Sequence, residues 1–261
     1  MRFPFALLVL LALPLSADLV VPQTSAPRIL IPVAGDAPGA NGTHFRSDVT
    51  IVNLRDAEQR VMLLWYPQDG TPVSRTITIG SRSGISSEDF VRNVLQLSGI
   101  GAIDIVAVNA DNAVDPFGQL HATARIWTPQ PNVVGGEMSQ PFPALVFASA
   151  QPAVKWILGM RRDAEHRLNV GIVNPSSATQ RFRVTIIGAT SSTPGEVVEI
   201  EVPAQAVRQR NMTGASDVAQ ILVQNISGTG ATTTWHAWAS SVHNVTGDAW
   251  SQTAFAAPPA Q

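Results

Sequence analysis

Hydrophobic and polar positions alternate with period two along most of this chain, in short runs broken by turn residues. In residues 46–54, Val49, Ile51 and Asn53 fall on one face; 60–66 is a second run, and 71–79 alternates around Val73, Arg75, Ile77 and Ile79. Period two sends successive side chains to opposite faces of an extended strand. Pro67-Gln68-Asp69-Gly70 separates the last two runs with turn-forming residues. Further strands are expected at 83–86, 102–108, 119–128 and 143–148, and an edge strand at 28–33, because Pro32 has no N–H to give a ladder. Residues 102–108 are apolar on both faces except for Asp104, the pattern of a strand buried on both sides. One segment breaks the period. Ser87 can cap a short helix, Phe90, Val91, Val94 and Leu95 form its stripe, and Gly99 stops it.

After a short linker at 149–152 the plan starts again, with runs at 153–158, 168–174, 181–187, 196–202, 206–210, 218–225, 232–241 and 249–255. The restart is visible residue by residue. Arg46, Val49 and Ile51-Val52-Asn53 recur 121 residues later as Arg167, Val170 and Ile172-Val173-Asn174, and Gln59-Arg60 recurs as Gln180-Arg181. Near each half's end, Asn132-Val133-Val134-Gly135 recurs 112 residues on as Asn244-Val245-Thr246-Gly247. The helix has no counterpart, and its deletion accounts for the smaller spacing. Short strands punctuated every ~8–12 residues are the signature of a sandwich. The expected fold is therefore all-β: two tandem immunoglobulin-like antiparallel β-sandwich domains, 28–148 and 149–257, the first with one short helix.

Composition adds a compartment. Apolar residues make up 45% of the chain and charged residues 14%, which excludes a disordered chain, and the formal net charge of −2 argues against a nucleic-acid partner. Cysteine is absent, so disulfides, thiolate metal sites and a cysteine nucleophile are excluded. Arg2, the apolar run 5–13 and Pro14-Leu15-Ser16-Ala17 read as a signal peptide (1–17) cut after Ala17, followed by an extended leader at 18–27. The apolar run is shorter than the ~20 residues of a membrane span. Residues 258–261 are a tail without a hydrophobic anchor. An exported protein, extracellular or periplasmic, with no membrane span after cleavage is expected.

The Gly39-Ala40-Asn41-Gly42 loop, the Arg46-x-Asp48 strand, the Asn-Leu and Asn-Pro turns and the Arg125-Ile126-Trp127 strand followed by a glycine-containing hairpin resemble a recurrent, largely uncharacterised domain of exported bacterial proteins. That resemblance covers most of 19–148 and, more loosely, 150–256. It implies immunoglobulin-type sandwiches that occur alone, in tandem or appended to other exported proteins, and it implies no catalytic residue. The second half departs from it at Asn169, where the first has Asp48, and lacks the Gly-Ala-Asn-Gly loop.

Candidate chemistry is sparse. Arg46 and Asp48 share a strand face and, with Arg125, form either a polar binding spot or a cross-strand ion pair that fixes register; the structural role is the expectation. Asn53 and Asn174 are expected to serve turns. The five histidines show no metal-ligand spacing, although His236 and His243 could meet across a hairpin; no metal and no cofactor are expected. Gly80-Ser81-Arg82-Ser83-Gly84 has arginine where a nucleophile elbow has serine. Carrying the 112-residue spacing back along the late strand puts Trp238 at the inward position of Ile126 and Trp235 at that of Thr123, on the face of Trp127. If that face is wet, Trp127 and Trp235 are candidate stacking platforms for a sugar.

The sequence thus points to an exported, non-enzymatic binding, adhesion or scaffolding protein with a protein or glycan partner at the envelope. Alternatives are a carbohydrate-binding module using Trp127 or Trp235, a small hydrolase whose carboxylates meet only in space, and a self-assembling subunit. The sheet faces, the edge strands and the loops at 35–44, 110–119 and 161–166 are the places to look.

Overall fold

The computed structural model describes residues 25–39, 42–131, 133–147, 151–188, 194–213, 216–228 and 234–256. The expected signal peptide, most of the leader, Ala40 and Asn41 of the glycine loop, and the tail lie outside them.

The first sandwich is built from β1 (Arg28–Pro38), β2 (His44–Asn53), β3 (Gln59–Pro67), β4 (Val73–Ile79), β5 (Gly84–Ser87), β6 (Gly99–Val108), β7 (Leu120–Pro129), β8 (Glu137–Pro143) and the two-residue β9 (Leu145–Val146). All pairings are antiparallel. One layer runs β4-β3-β6-β1 with β9 on β1, the other β5-β2-β7-β8. β1 joins them: its register on β6 shifts between Ile31 and Ala34, next to Pro32, and its last residues, Ala37 and Pro38, pair with Phe45 and His44 of β2. A proline at such an irregularity removes no ladder bond. Ile29, Ile31, Val49, Ile51, Val61, Leu63, Ile103 and Ile105 fill the space between the layers.

The second sandwich comprises β10 (Val154–Arg162), β11 (His166–Asn174), β12 (Gln180–Gly188), β13 (Pro194–Val202), β14 (Ala206–Met212), β15 (Ser216–Asn225), β16 (His236–His243) and β17 (Ala249–Thr253). Its layers run β13-β12-β15-β10 and β14-β11-β16-β17. Laid in chain order on β1 to β8, every neighbour within the layers is the same; the β1–β2 pairing that joins the first sandwich's layers has no counterpart among the described residues. The all-β antiparallel sandwich class read from the sequence is what the chain adopts. Lettered A to G from β1, the first sandwich keeps the B–E and C–F neighbours of the immunoglobulin order but places G beside B and A beside F.

Three local departures from the alternation pattern have simple causes. β8 contains Pro141 and Pro143, which hide a strand from a propensity reading, yet it has β7 on one side only and tolerates them. β10 runs past Leu158 through an irregularity at Gly159, whose φ is 72°. The helix is a single π turn, Val91–Leu95, ended by Gln96 in the left-handed region rather than by Gly99, which opens β6. Its buried Phe90, Val91 and Leu95 close one end of the core.

Asn53 and Asn174 do more than shape a turn. Both are fully buried. Asn53 Nδ2 donates to the carbonyls of Ala57 (2.7 Å) and Gly80 (3.0 Å), and its Oδ1 accepts from Arg55 N. Asn174 Nδ2 donates to Ala178 (2.8 Å), Val202 (3.0 Å) and Pro203 (2.9 Å), and its Oδ1 accepts from Ser176 N. Each amide therefore ties the end of one layer to the end of the strand in the other. Removing it leaves buried carbonyls unpaired at ~1–3 kcal/mol each. Asn174→Ala is expected to lower stability by about 3 kcal/mol, and Asn53→Ala by a similar amount, in denaturant unfolding followed by circular dichroism. A loss of only a few tenths would mean that these amides do not hold the layers.

Candidate functional site: a cleft between the two sandwiches

The residues singled out by sequence separate into two groups. Arg46, Asp48, Arg125 and Trp127 do come together on β2 and β7. Asp48 lies directly across from Arg125, and Arg46 across from Trp127. Arg125 Nε donates to Asp48 Oδ2 at 3.0 Å and its Nη1 to Glu137 Oε2 at 3.1 Å. The hydrogen bond to Asp48 holds the Arg125 pKa above its ordinary value, against partial desolvation. Arg46 is 3.7 Å from Asp89 and 5.2 Å from the Trp127 ring. Arg125 is thus held by two carboxylates, while Asp89 Oδ1 has no hydrogen-bond partner among the described residues.

Neither Trp127 nor Trp235 is a stacking platform. Trp127 is 8% exposed and its Nε1 donates to Glu88 O at 2.8 Å; Trp235 is 0% exposed, packs 5.2 Å from Phe182 and donates to Pro152 O. The placement of Trp235 on the face of Trp127 fails through register. Ile51 faces Ala122 in the first sandwich and Ile172 faces Ala237 in the second, so the late strands correspond at a spacing of 115 residues. The hairpin spacing of 112 slips the strand by three, and an odd slip exchanges its faces. Trp235 takes the inward position of Leu120, and Trp238 takes the outward position of Thr123.

Trp238 is nevertheless 2% exposed, because the outward face of β11 and β16 is covered by the first sandwich. The indole lies on Gly171, its cross-strand partner, where a Cβ would sit 2.1 Å from the ring. Phe142 of β8 meets it edge-on at 5.2 Å, and Val33 completes the cluster. A second apolar contact joins Leu30, Tyr66 and Ala102 to Val173 and Val207. Ser240 Oγ donates to Gln140 Oε1 at 2.8 Å, Arg208 donates to Gln68 O, and Ser251 Oγ donates to Pro141 O.

Beside this contact the two sandwiches leave a cleft of about 940 Å³. Phe45, Ile100, Met138, Ser139 and Gln140 line it from the first sandwich; Arg167, Asn169, Gln209, Trp238, Ser240 and Asn244 line it from the second. Among the described residues no carboxylate lines it, and none there offers the acid pair of a glycoside-hydrolase mechanism. Arg167 makes no ion pair among the described residues, and its Nη1 reaches Asn244 Oδ1 at 3.4 Å. Two buried donors, Gln140 Nε2 and Trp238 Nε1, have no acceptor. Buried polar groups without partners are rare and concentrate where function demands them. The sequence signal for this site was the change of Asp48 to Asn169 at the matching position; Trp238 and Gln140 carried none.

The junction also buries titratable groups. Arg28 Nε donates to both Asp104 oxygens, at 3.0 and 3.1 Å, and Tyr66 donates to the same carboxylate at 2.7 Å, which explains the one charge on β6. The Arg28 guanidinium sits 3.4 Å from the Phe147 ring, which in turn lies 5.9 Å from His236. Lys155 donates to Trp235 O at 3.0 Å, and burial pushes its pKa down to about 8. His243 meets His166, at 5.1 Å between rings, rather than His236.

No family model matches the chain, and no curated protein matches it. Among solved structures, Thermotoga maritima 1070 is 12% identical over 40% of this chain and 92% of its own, with a TM-score of 0.32. The isomalto-dextranase of Arthrobacter globiformis T6 is 10% identical over 78% of this chain and 39% of its own (TM-score 0.27). The β-glucuronidase 2 of Bacteroides uniformis is 11% identical over 81% and 25% (TM-score 0.15). The chain thus spans well under half of either enzyme, and scores this low bear on neither its fold nor its activity.

His236 makes the junction sensitive to acid. Burial, with Lys155 and Arg28 nearby, pushes its pKa down to about 3 from 6.5. Below pH 6.5 the unfolded chain takes up a proton that the folded chain refuses. The His236 penalty is therefore absent above pH 6.5 and grows by up to ~1.4 kcal/mol per pH unit on acidification toward pH 3. His236→Phe is expected to flatten the stability profile across that window, measured by urea unfolding at a series of pH values. An unchanged slope would remove His236 as its cause.

Proposed function

We propose that this is an exported, non-enzymatic binding protein that works in the periplasm or outside the cell, holding a ligand or partner in the cleft between its two sandwiches. The observation that carries the proposal is the cleft: a large concave space walled by both sandwiches, with aromatic and aliphatic patches and convergent amide, hydroxyl and guanidinium groups. Pockets of ~300–1,000 Å³ with that mixture are the usual form of a ligand seat. Export is supported by the charged, apolar and small-residue segments at 1–17. No helix among the described residues is long and apolar enough to cross a membrane. The shared strand order, together with the 121-residue recurrence, supports a duplicated sandwich. Adhesion and scaffolding are the roles such a seat serves when the partner is a protein or glycan of the envelope.

Asn169→Trp places an indole in the cleft at a half-buried surface position. The purified protein is expected to retain a partner from cell-envelope extract, or a glycan on an array, and Asn169→Trp is expected to weaken that retention about tenfold or more, a loss worth ~1.4 kcal/mol. Retention unaffected by this substitution, in a protein whose circular dichroism is unchanged, would move the seat elsewhere. No retention in either assay would overturn the binding role.

A further inference from the structure

We infer that the cleft selects a small ligand bearing a carboxylate, seated on Arg167, whose other polar atoms are hydrogen-bond acceptors. The inference rests on the cleft being the binding seat. It comes from comparing one strand position in the two sandwiches.

On β2 and β7 the outward charges are neutralised from within. Arg125 is held by Asp48 and Glu137, and Arg46 lies near Asp89. On β11 and β16 the basic residue is kept and its acidic surroundings are gone. Arg167 stands where Arg46 does, Asn169 replaces Asp48, and Ser240 replaces Arg125. Among the described residues no carboxylate lies within ion-pairing distance of Arg167. A half-buried guanidinium whose one described polar contact is Asn244 Oδ1 at 3.4 Å is left to find its anion in a ligand, and a carboxylate matches its planar fork with two parallel hydrogen bonds.

The remaining wall is rich in donors. The oxygen of Asn169 is engaged by Asn211 Nδ2 at 3.3 Å, which turns its amide NH₂ outward to donate. Gln140 Oε1 takes the Ser240 hydroxyl, while its Nε2 and the Trp238 Nε1, the latter against Gly171, are sealed from the cleft, so the donors left to a ligand are Arg167, Asn169 and the other amides of the wall. Among the described residues no acidic side chain lines the cleft to favour a cation. Ring and carbonyl oxygens are the atoms such donors seek, and the volume of about 940 Å³ holds a disaccharide or a tripeptide. A sugar acid and the free C-terminus of a short peptide share this chemistry.

Calorimetric titration of the purified protein separates them. The probes are the glucuronic acid–N-acetylglucosamine disaccharide and its methyl ester, and trialanine and its C-terminal amide. One acid is expected to bind about tenfold or more tighter than its neutral partner, as a charge-assisted pair requires. Arg167→Met should abolish that preference, and Arg167→Lys should restore part of it. Whichever acid binds identifies the source. Equal binding of acid and neutral partner, unaffected by Arg167→Met but lost in Asn169→Trp, would overturn the carboxylate and keep the cleft. No binding of any probe at millimolar concentration by the folded protein would overturn the carboxylate too, while envelope-extract retention lost in Asn169→Trp would still stand for the cleft.

Discussion

The arrangement of the two halves depends on an indole lying against bare backbone. Trp238 can lie flat on β11 because residue 171 is glycine, and in that position it presents its exposed surface to Phe142 and Val33 of the other sandwich. An aromatic pair of this edge-on kind contributes ~0.5–1.5 kcal/mol beyond the burial of its area. Any side chain at 171 would lift the ring and push the sandwiches apart. The cleft is the space that remains next to this contact, so its width is set by the same ring. Met138, on the far side, approaches the backbone at Gly247 so closely that a Cβ there would meet its sulfur at 2.1 Å. Glycine in two places thus brings the halves near enough to share one concavity.

Identical topology has been put to two uses. In the first sandwich the outward face of β2 and β7 carries charge that cancels locally, with Trp127 roofed by Arg46. In the second, the same positions are uncharged except for Arg167, and the large ring has moved from the β7-type position 127 to the β16-type position 238. Neither change touches the core. Both sandwiches keep fully buried apolar residues on the inward face and the same amide pin at the end of the second strand. Period two makes this separation possible, since alternate residues answer to different surroundings.

Much of the fold could be read from the chain because burial imposes that period. Val49, Ile51, Val170 and Ile172 announce their strands, and the run at 102–108 announces a strand covered on both faces, down to the single Asp104 that needed a partner. The limits were equally physical. β8 carries prolines that local preference rejects and edge position allows. The late-strand register was inferred from a hairpin, and hairpin length is free to vary while strand pairing is not; three residues were enough to exchange Trp235 and Trp238 between faces. The cleft lay beyond reach altogether, since it is made where two separately folded faces approach, and no period within either one encodes that approach. Only the substitution of Asn169 for an acidic residue hinted that the second face had a different task.

The chain has one lysine, Lys155, and it is 3% exposed with its ammonium turned onto the Trp235 carbonyl and ring. Amine-directed reagents therefore find no exposed lysine side chain. An amine-reactive dye would thus leave the cleft chemically untouched, since the groups described on its walls are guanidinium, amide and hydroxyl rather than amine.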